Sequence, residues 1–288
     1  MIATYYSLTK PGIIYGNAVT AAAGFFLGSQ KSFDPLAFVA MLFGISLIIA
    51  CGCVLNNYID RDIDILMERT KKRALVAGTV SARAALIFAT GLGILGTLVL
   101  GFGTNTLSLL VALGGLFFYV VVYSLWSKRH TMHATLIGAI SGAVPPVVGY
   151  CAASNSLDSL ALLLFLVLAA WQIPHALAIA MYRIDDYAAA SVPVLPLTLG
   201  MHKAKMLMTT YVLIYVLCSI ALYQESTMSL WVGASFALLG IAWIVLSFSG
   251  FYAKDDKAWG RSMFFYSLIS LLALSLLIAT DTILSLLK

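Results

Sequence analysis

The chain has 288 residues, of which 61% are hydrophobic and only 10% charged, against roughly 25% charged in an ordinary soluble domain. No water-soluble core can hide that much apolar surface, so an all-α integral membrane protein is expected. The net charge of +5 is concentrated in one set of loops and reads as an orientation signal, which argues against a nucleic-acid partner.

A membrane span needs about 20 apolar residues. Nine such runs follow in chain order, over about 12–28, 35–57, 84–102, 106–126, 133–153, 159–181, 205–223, 228–250 and 262–280. They predict a nine-helix bundle forming one transmembrane domain over 1–288, with two weakly repeated halves of about 1–130 and 131–288. The first run has the apolarity of a signal peptide, but no small-residue cleavage site follows it, so a retained span is expected. Fifteen of the seventeen Lys and Arg fall at the N-terminus and in the loops after spans two, four, six and eight, leaving Lys31 and Lys288 opposite. The positive-inside rule makes the first side cytoplasmic, with the N-terminus inside, the C-terminus outside and lipid of the cell membrane as the surroundings. Cys51, Cys53, Cys151 and Cys218 lie in or beside spans and are expected to pack as small apolar groups, without disulfide or metal.

Eight of the twelve acidic residues share the basic side, which orientation does not explain. The densest stretch, NNYIDRDIDILMERTKKR over 56–73, runs straight out of the second span. As a helix it places Asn56, Asp60 and Asp64 within an arc of about 80°, with Glu68 extending the stripe to about 120° and Asp62 pointing away. Like charges at this spacing repel unless a cation sits between them, and hard oxygen ligands suit Mg²⁺ bound by one or two carboxylates plus phosphate oxygens. The alternative is a solvated face laced by pairs such as Asp64 with Arg61 or Glu68 with Lys72.

The sixth span ends in WQIPHALAIAMYRIDDYAAASVPVLP. Tyr182 and Asp186 share a face there at i,i+4, His175 falls within about 40° of both, and Asp185 points about 80° off the stripe. An even number of crossings separates this stripe from the first, so both reach one membrane face. Arg69, Lys72, Arg73, Lys128, Arg129 and Arg183 place positive charge beside the acids, as recognition of a diphosphate requires. Beneath lies an apolar bundle suited to a long hydrocarbon tail. His175 sits roughly 16 Å deeper than Asp186 by helical rise and is either an acceptor contact or a packed neutral histidine. His130 and His133 are interfacial, and Pro145 and Pro146 are expected to break the fifth span.

With Asn56, Asp60 and Asp64 spelling Asn-x-x-x-Asp-x-x-x-Asp, the chain resembles the UbiA superfamily of intramembrane prenyltransferases over essentially its whole length. The carrying segments are 56–73, KRHTMHATLIGAISGAVPPVVGY over 128–150, and the sixth-span ending. Within that superfamily it is most similar to the haem-modifying branch: Asn57 stands where many relatives acting on quinone precursors carry Asp. The resemblance implies a nine-helix bundle, Mg²⁺-dependent binding of farnesyl diphosphate, and transfer of the farnesyl group to a vinyl carbon of haem B, with water supplying a hydroxyl. Haem B is then substrate, not cofactor, and the product would serve a haem-copper oxidase or a haem A synthase. The motif assigns Asn56, Asp60, Asp64 and Asp186 to the metal and Tyr182 to catalysis. It leaves diphosphate and acceptor to Arg69, Lys72, Arg73, Lys128, Arg129, Arg183, His175 and His130. Transfer to an aromatic quinone precursor is the nearest alternative. A secondary transporter is disfavoured, because the acids cluster at one face instead of the midplane.

Overall fold

The structure is a computed structural model that describes residues 2–29 and 32–288, so Lys31 lies outside the described residues. Its regular elements are helices, without a strand among the described residues. After a short α1 (Ile2–Leu8) come α2 (Pro11–Gly28), α3 (Pro35–Ile59), the single turn α4 (Arg61–Asp64), α5 (Ala82–Gly103), α6 (Thr106–His130) and α7 (Ala134–Ser154). The rest is α8 (Ser159–Tyr182), two short helices α9 (Ile184–Ala189) and α10 (Leu195–Thr198), then α11 (Met201–Glu225), α12 (Leu230–Tyr252) and α13 (Asp256–Leu286). Eight of these are long and apolar enough to cross a membrane. The first expected span corresponds to α2, whose 18 residues include Asn17 and reach only about 27 Å, just short of the roughly 30 Å hydrocarbon layer.

Several polar breaks between the apolar runs double as helix caps. Asp34 accepts from the N–H groups of Leu36 and Ala37 at 2.9 and 3.1 Å, Asn105 from Ser108 at 2.9 Å, and Asp158 from Ala161 at 3.2 Å. Each satisfies donors that the first helical turn leaves free. The expected break in the fifth span falls at Ala143, where α7 divides into Ala134–Gly142 and Val144–Ser154 because Pro145 and Pro146 cannot donate backward. Pro174, by contrast, lies inside the otherwise continuous α8.

The helices form an inner and an outer set. About half of α3, α7 and α8 is buried inside the protein, against 17% and 22% for α6 and α5, so the two helices that carry the acidic motifs are central. Outer helices present side chains such as Leu217, Leu238 and Val245 outward, as lipid-facing surface requires. α3 packs along α5, α8 along α11 and α13, and α13 returns against α2 to close the bundle. The seam between α2 and the second half of α7 is a backbone contact: a Cβ on Gly24 would stand 1.9 Å from the Pro146 carbonyl oxygen, and one on Gly149 1.9 Å from that of Ala21. Only glycine permits that approach.

Candidate active site

The first polar corner is built at the end of α3. Its helix ends at Ile59, yet the hydrogen bonds from Asp60 N–H to the Asn56 carbonyl (2.9 Å) and from Asp64 N–H to the Asp60 carbonyl (2.8 Å) keep helical spacing across the junction. Asn56, Asp60 and Asp64 therefore stay on one face, and all three are buried, Asp60 completely. The stripe stops there. The backbone turns away after Asp64, so Glu68, expected on the same face, stands exposed and pairs with Lys71 at 2.5 Å. The turning segment returns Arg73 to Asp64 at 2.6 Å, and Thr70 Oγ1 donates to the Asp64 carbonyl at 2.8 Å. The local pairs of the solvated-face alternative, Asp64 with Arg61 and Glu68 with Lys72, are not those formed: the turn brings Arg73 to Asp64 across nine residues, and Glu68 meets Lys71.

Cations from distant segments converge on these acids. Lys128 Nζ donates to Asp60 Oδ2, which also accepts from Asn56 Nδ2 at 2.8 Å. Arg129 grips Asp62 through two bonds of 2.6 and 2.7 Å while reaching within 4.0 Å of Asp60. That fork holds the exposed Asp62 carboxyl down at about 2, well below the ordinary carboxylate range. Lys10, left-handed at φ 53° ahead of α2, sends its ammonium to Asn56 Oδ1. Burial pushes Lys10 down to about 8. Asn57 donates to the Leu8 carbonyl at 2.8 Å and so fastens the α1–α2 junction that carries Lys10. Sequence spacing gave no sign of Lys10, nor of Ser124, which accepts from Asn56 Nδ2 at 3.0 Å. Ser124 is aimed there by a stretch of π-helix over Phe118–Ser127 that ends directly at Lys128. Such wide turns recur at functional sites.

The second corner is more open. α8 ends at Tyr182, Arg183 breaks the helix, and Asp185 and Asp186 begin α9. The single helical stripe expected through Tyr182 and Asp186 is thus interrupted, yet both side chains line one cleft of about 440 Å³ together with Glu68, Arg69, Arg183 and Asp185. Asp185 pairs with Lys257 at 2.6 Å, whereas Asp186 makes no ion pair among the described residues. The loops of the two corners pack on each other through Met67 and Ile63 on one side and Tyr187, Ala190 and Val192 on the other.

Below this rim, His175 stacks on Trp171 at 4.6 Å, lies 5.1 Å from the Phe264 ring, and joins Ser267 Oγ through Nδ1 at 2.7 Å. His130 is exposed, its Nδ1 against the Trp126 carbonyl at 2.6 Å, and Lys72 is exposed. Neither is drawn into a corner.

Asp60 Oδ1 is buried without a hydrogen-bond partner, an orphaned acceptor of the kind a hard cation would satisfy. Among the described residues no three acidic, histidine or cysteine groups stand together as a ready metal cage. The donor set instead fits a cation held by one or two carboxylates and completed by phosphate oxygens.

Residues 17–269 match the UbiA prenyltransferase family, and the chain belongs to it. It is a membrane-embedded prenyl-transfer enzyme. Among its relatives, protoheme IX farnesyltransferase 2 of Pseudomonas putida (strain W619) is 45% identical over 278 residues, covering 96% of this chain and 94% of that protein. The protoheme IX farnesyltransferase of Cronobacter sakazakii is 43% identical, covering 98% and 95%. The fold matches a solved digeranylgeranylglyceryl phosphate synthase structure at TM-score 0.81, with 19% identity and 98% of each chain covered. It also matches a UbiA homologue from Archaeoglobus fulgidus bound to GPP and Mg²⁺ at TM-score 0.72, with 16% identity, covering 96% of this chain and 99% of that one.

Proposed function

We propose that this chain transfers the farnesyl group of farnesyl diphosphate to a vinyl carbon of haem B, giving haem O and diphosphate, with water supplying the hydroxyl. The observation that carries it is the convergence of Arg73, Lys128 and Arg129 on buried carboxylates, and of Lys10 on the Asn56 amide oxygen beside them, at one end of an apolar bundle. The acceptor is taken from the names of the relatives that match nearly the whole chain.

Asn56, Asp60, Asp64 and Asp186 would hold Mg²⁺, which when bound offsets charge on the diphosphate. The basic groups do the rest of the binding: once a diphosphate enters, Lys128 and Arg73 exchange a carboxylate partner for a phosphate one, and Lys10 exchanges the Asn56 amide oxygen for one. The allylic C–O bond breaks with its electron pair leaving on the diphosphate. The vinyl π electrons form the new C–C bond, and the cation left beside the porphyrin takes hydroxide from water while a proton departs. Tyr182 stands at the edge of the cleft where that chemistry begins, and the apolar walls below exclude bulk water from the allylic cation. The two halves of the chain pack alike, α3 on α5 as α8 on α11, which supports reading them as a repeat facing one cavity.

The test is purified protein incubated with haem B, farnesyl diphosphate and Mg²⁺, followed by mass analysis of the haem. Farnesylated, hydrated haem is expected, dependent on Mg²⁺. No modified haem, with farnesyl found instead on an added aromatic quinone precursor, would remove the acceptor assignment. The orientation proposed with this reading puts the N-terminus and both corners in the cytoplasm. Reporters fused after Arg73 and after Lys288 should give opposite localisation signals, and equal signals would refute it.

A further inference from the structure

A second cleft adjoins the first. It measures about 510 Å³ and lies between the end of α8 and the start of α13, lined by Tyr182, Arg183, Lys257, Arg261, Phe264 and Phe265. The two clefts share Tyr182 and Arg183, so a molecule in one meets a molecule in the other across the tyrosine. Their chemistry differs. The first is bordered by Glu68, Asp185 and Asp186 with Arg69 and Arg183, the second by Arg183, Lys257 and Arg261 with one acid, Asp255. Two of the second cleft's cations lie over aromatic rings, Arg183 over Tyr182 and Arg261 over Phe265.

The acids around the second cleft are already engaged. Asp255, on its wall, caps α13 by accepting from the N–H groups of Lys257 and Ala258 at 2.9 and 3.1 Å. Asp256 is tied to Lys205 at 2.5 Å, and Asp185 to Lys257 in an exposed contact of the kind that contributes little and exchanges readily. Arg261 has no acidic partner among the described residues; its guanidinium lies 5.7 Å over the Phe265 ring. Lys257 and Arg261 are one helical turn apart on α13, so their charged ends form an adjacent pair. Phe264 forms the inner wall, its ring 5.6 Å from Tyr182 and 5.1 Å from His175. A ligand suited to this cleft is flat and aromatic, carries two anionic groups on one edge, and directs its opposite edge toward Tyr182.

We propose that this cleft is the acceptor pocket, with Arg261 and Lys257 receiving the two propionate carboxylates of the porphyrin and Phe264 meeting its face. The assignment rests on haem B being the acceptor. Propionates and vinyl groups occupy opposite sides of that macrocycle, so anchoring the former at α13 turns the latter toward the cleft with the carboxylates. A phospholipid headgroup shares the anionic chemistry but has no ring to lie on Phe264.

The experiment uses the full chain in nanodiscs of neutral lipid and titrates haem B and its dimethyl ester by Soret absorbance. Binding of farnesyl diphosphate and the melting temperature are followed on the same preparation. Esterification should weaken binding to the unaltered protein about 10- to 100-fold, the range of one or two charge-assisted hydrogen bonds. Arg261→Gln should weaken haem B by about tenfold while leaving the ester and farnesyl diphosphate unchanged, Lys257→Gln should act in the same direction, and Arg261→Lys should recover part of the loss. Equal binding of diacid and ester by the unaltered protein overturns the proposal without any variant having to fold. So does unchanged haem affinity in Arg261→Gln, including the case in which that variant loses only a response to added anionic lipid. If the unaltered protein neither binds nor farnesylates haem, the acceptor itself is wrong; if it turns haem over normally and Arg261→Gln does too with the same KM, only the pocket is.

Discussion

The two polar corners use the same residue types to opposite effect. At the end of α3, Asp60 and Asp64 are buried and each is held by a basic side chain from another segment. At the end of α8, Asp186 borders an open cleft with no basic partner among the described residues, and Asp185 has only an exposed one. A carboxylate sunk into a low-dielectric interior must be paired or it shifts its protonation; one at a wetted rim need not be. The first corner is therefore part of the folded architecture as well as a candidate ligand set. The second adds candidate ligands and little stability.

Neutralising one acid in each corner separates them most sharply. Asp60→Asn and Asp186→Asn should each lower turnover by about 10²-fold or more, as removal of a charge that stabilises the departing group does. Asp60→Asn should in addition leave Lys128 unpaired beside a buried amide, destabilising the fold by about 3–5 kcal/mol, whereas Asp186→Asn should stay within about 0.5 kcal/mol. Turnover and melting temperature measured together decide it, and equal melting shifts would erase the distinction. Beneath both corners, His175→Ala should raise the haem Kd about tenfold and leave farnesyl diphosphate binding near its original value. If His175 is purely a packing group against Trp171 and Ser267, the melting temperature should fall and both affinities weaken together.

A smaller effect concerns pH. The buried Lys10 ammonium loses its proton near pH 8, below the ordinary lysine value, so its attraction for a diphosphate is present below that pH and fades above it. The KM for farnesyl diphosphate should rise as pH passes upward through 8, and Lys10→Gln should flatten that rise. Between about 8 and the unfolded value near 10.4 the unfolded chain binds the extra proton, so this same group makes folding more favourable as pH climbs. Asp62→Asn should do least, since its pair with Arg129 is exposed: less than about 1 kcal/mol, or a few-fold in turnover. A loss as large as that from Asp60→Asn would mean that burial is not what divides these acids.

Much of this arrangement is legible in the residues alone. Length and hydropathy locate the spans, loop charge brings both acidic segments to one face, and i,i+4 spacing holds for Asn56, Asp60 and Asp64 because helical hydrogen bonding survives the break at Asp60. Spacing fails where the backbone leaves the helix. Glu68 drops off the stripe, Arg73 comes back to Asp64, and Arg183 parts Tyr182 from Asp186. Lys10 and Ser124 meet Asn56 across 46 and 68 residues of chain, and no local period encodes a contact made by tertiary packing. The cleft beside α13 is hidden for the same reason, since Lys257 and Arg261 read in sequence as two more cytoplasmic charges.

The π-helical stretch at the end of α6 gives the fold slack in length just ahead of its cations. A π turn bonds i to i+5 where an α turn bonds i to i+4, so a single residue deleted within 118–127 is absorbed by tightening a π turn, whereas one deleted from an α-helical turn rotates everything after it by about 100°. Lys128 and Arg129 would hold their aim in the first case and face a different neighbour in the second. In such a bundle a one-codon gap is tolerated just ahead of the polar corner and re-aims that corner when it falls in an α-helical turn of the same helix.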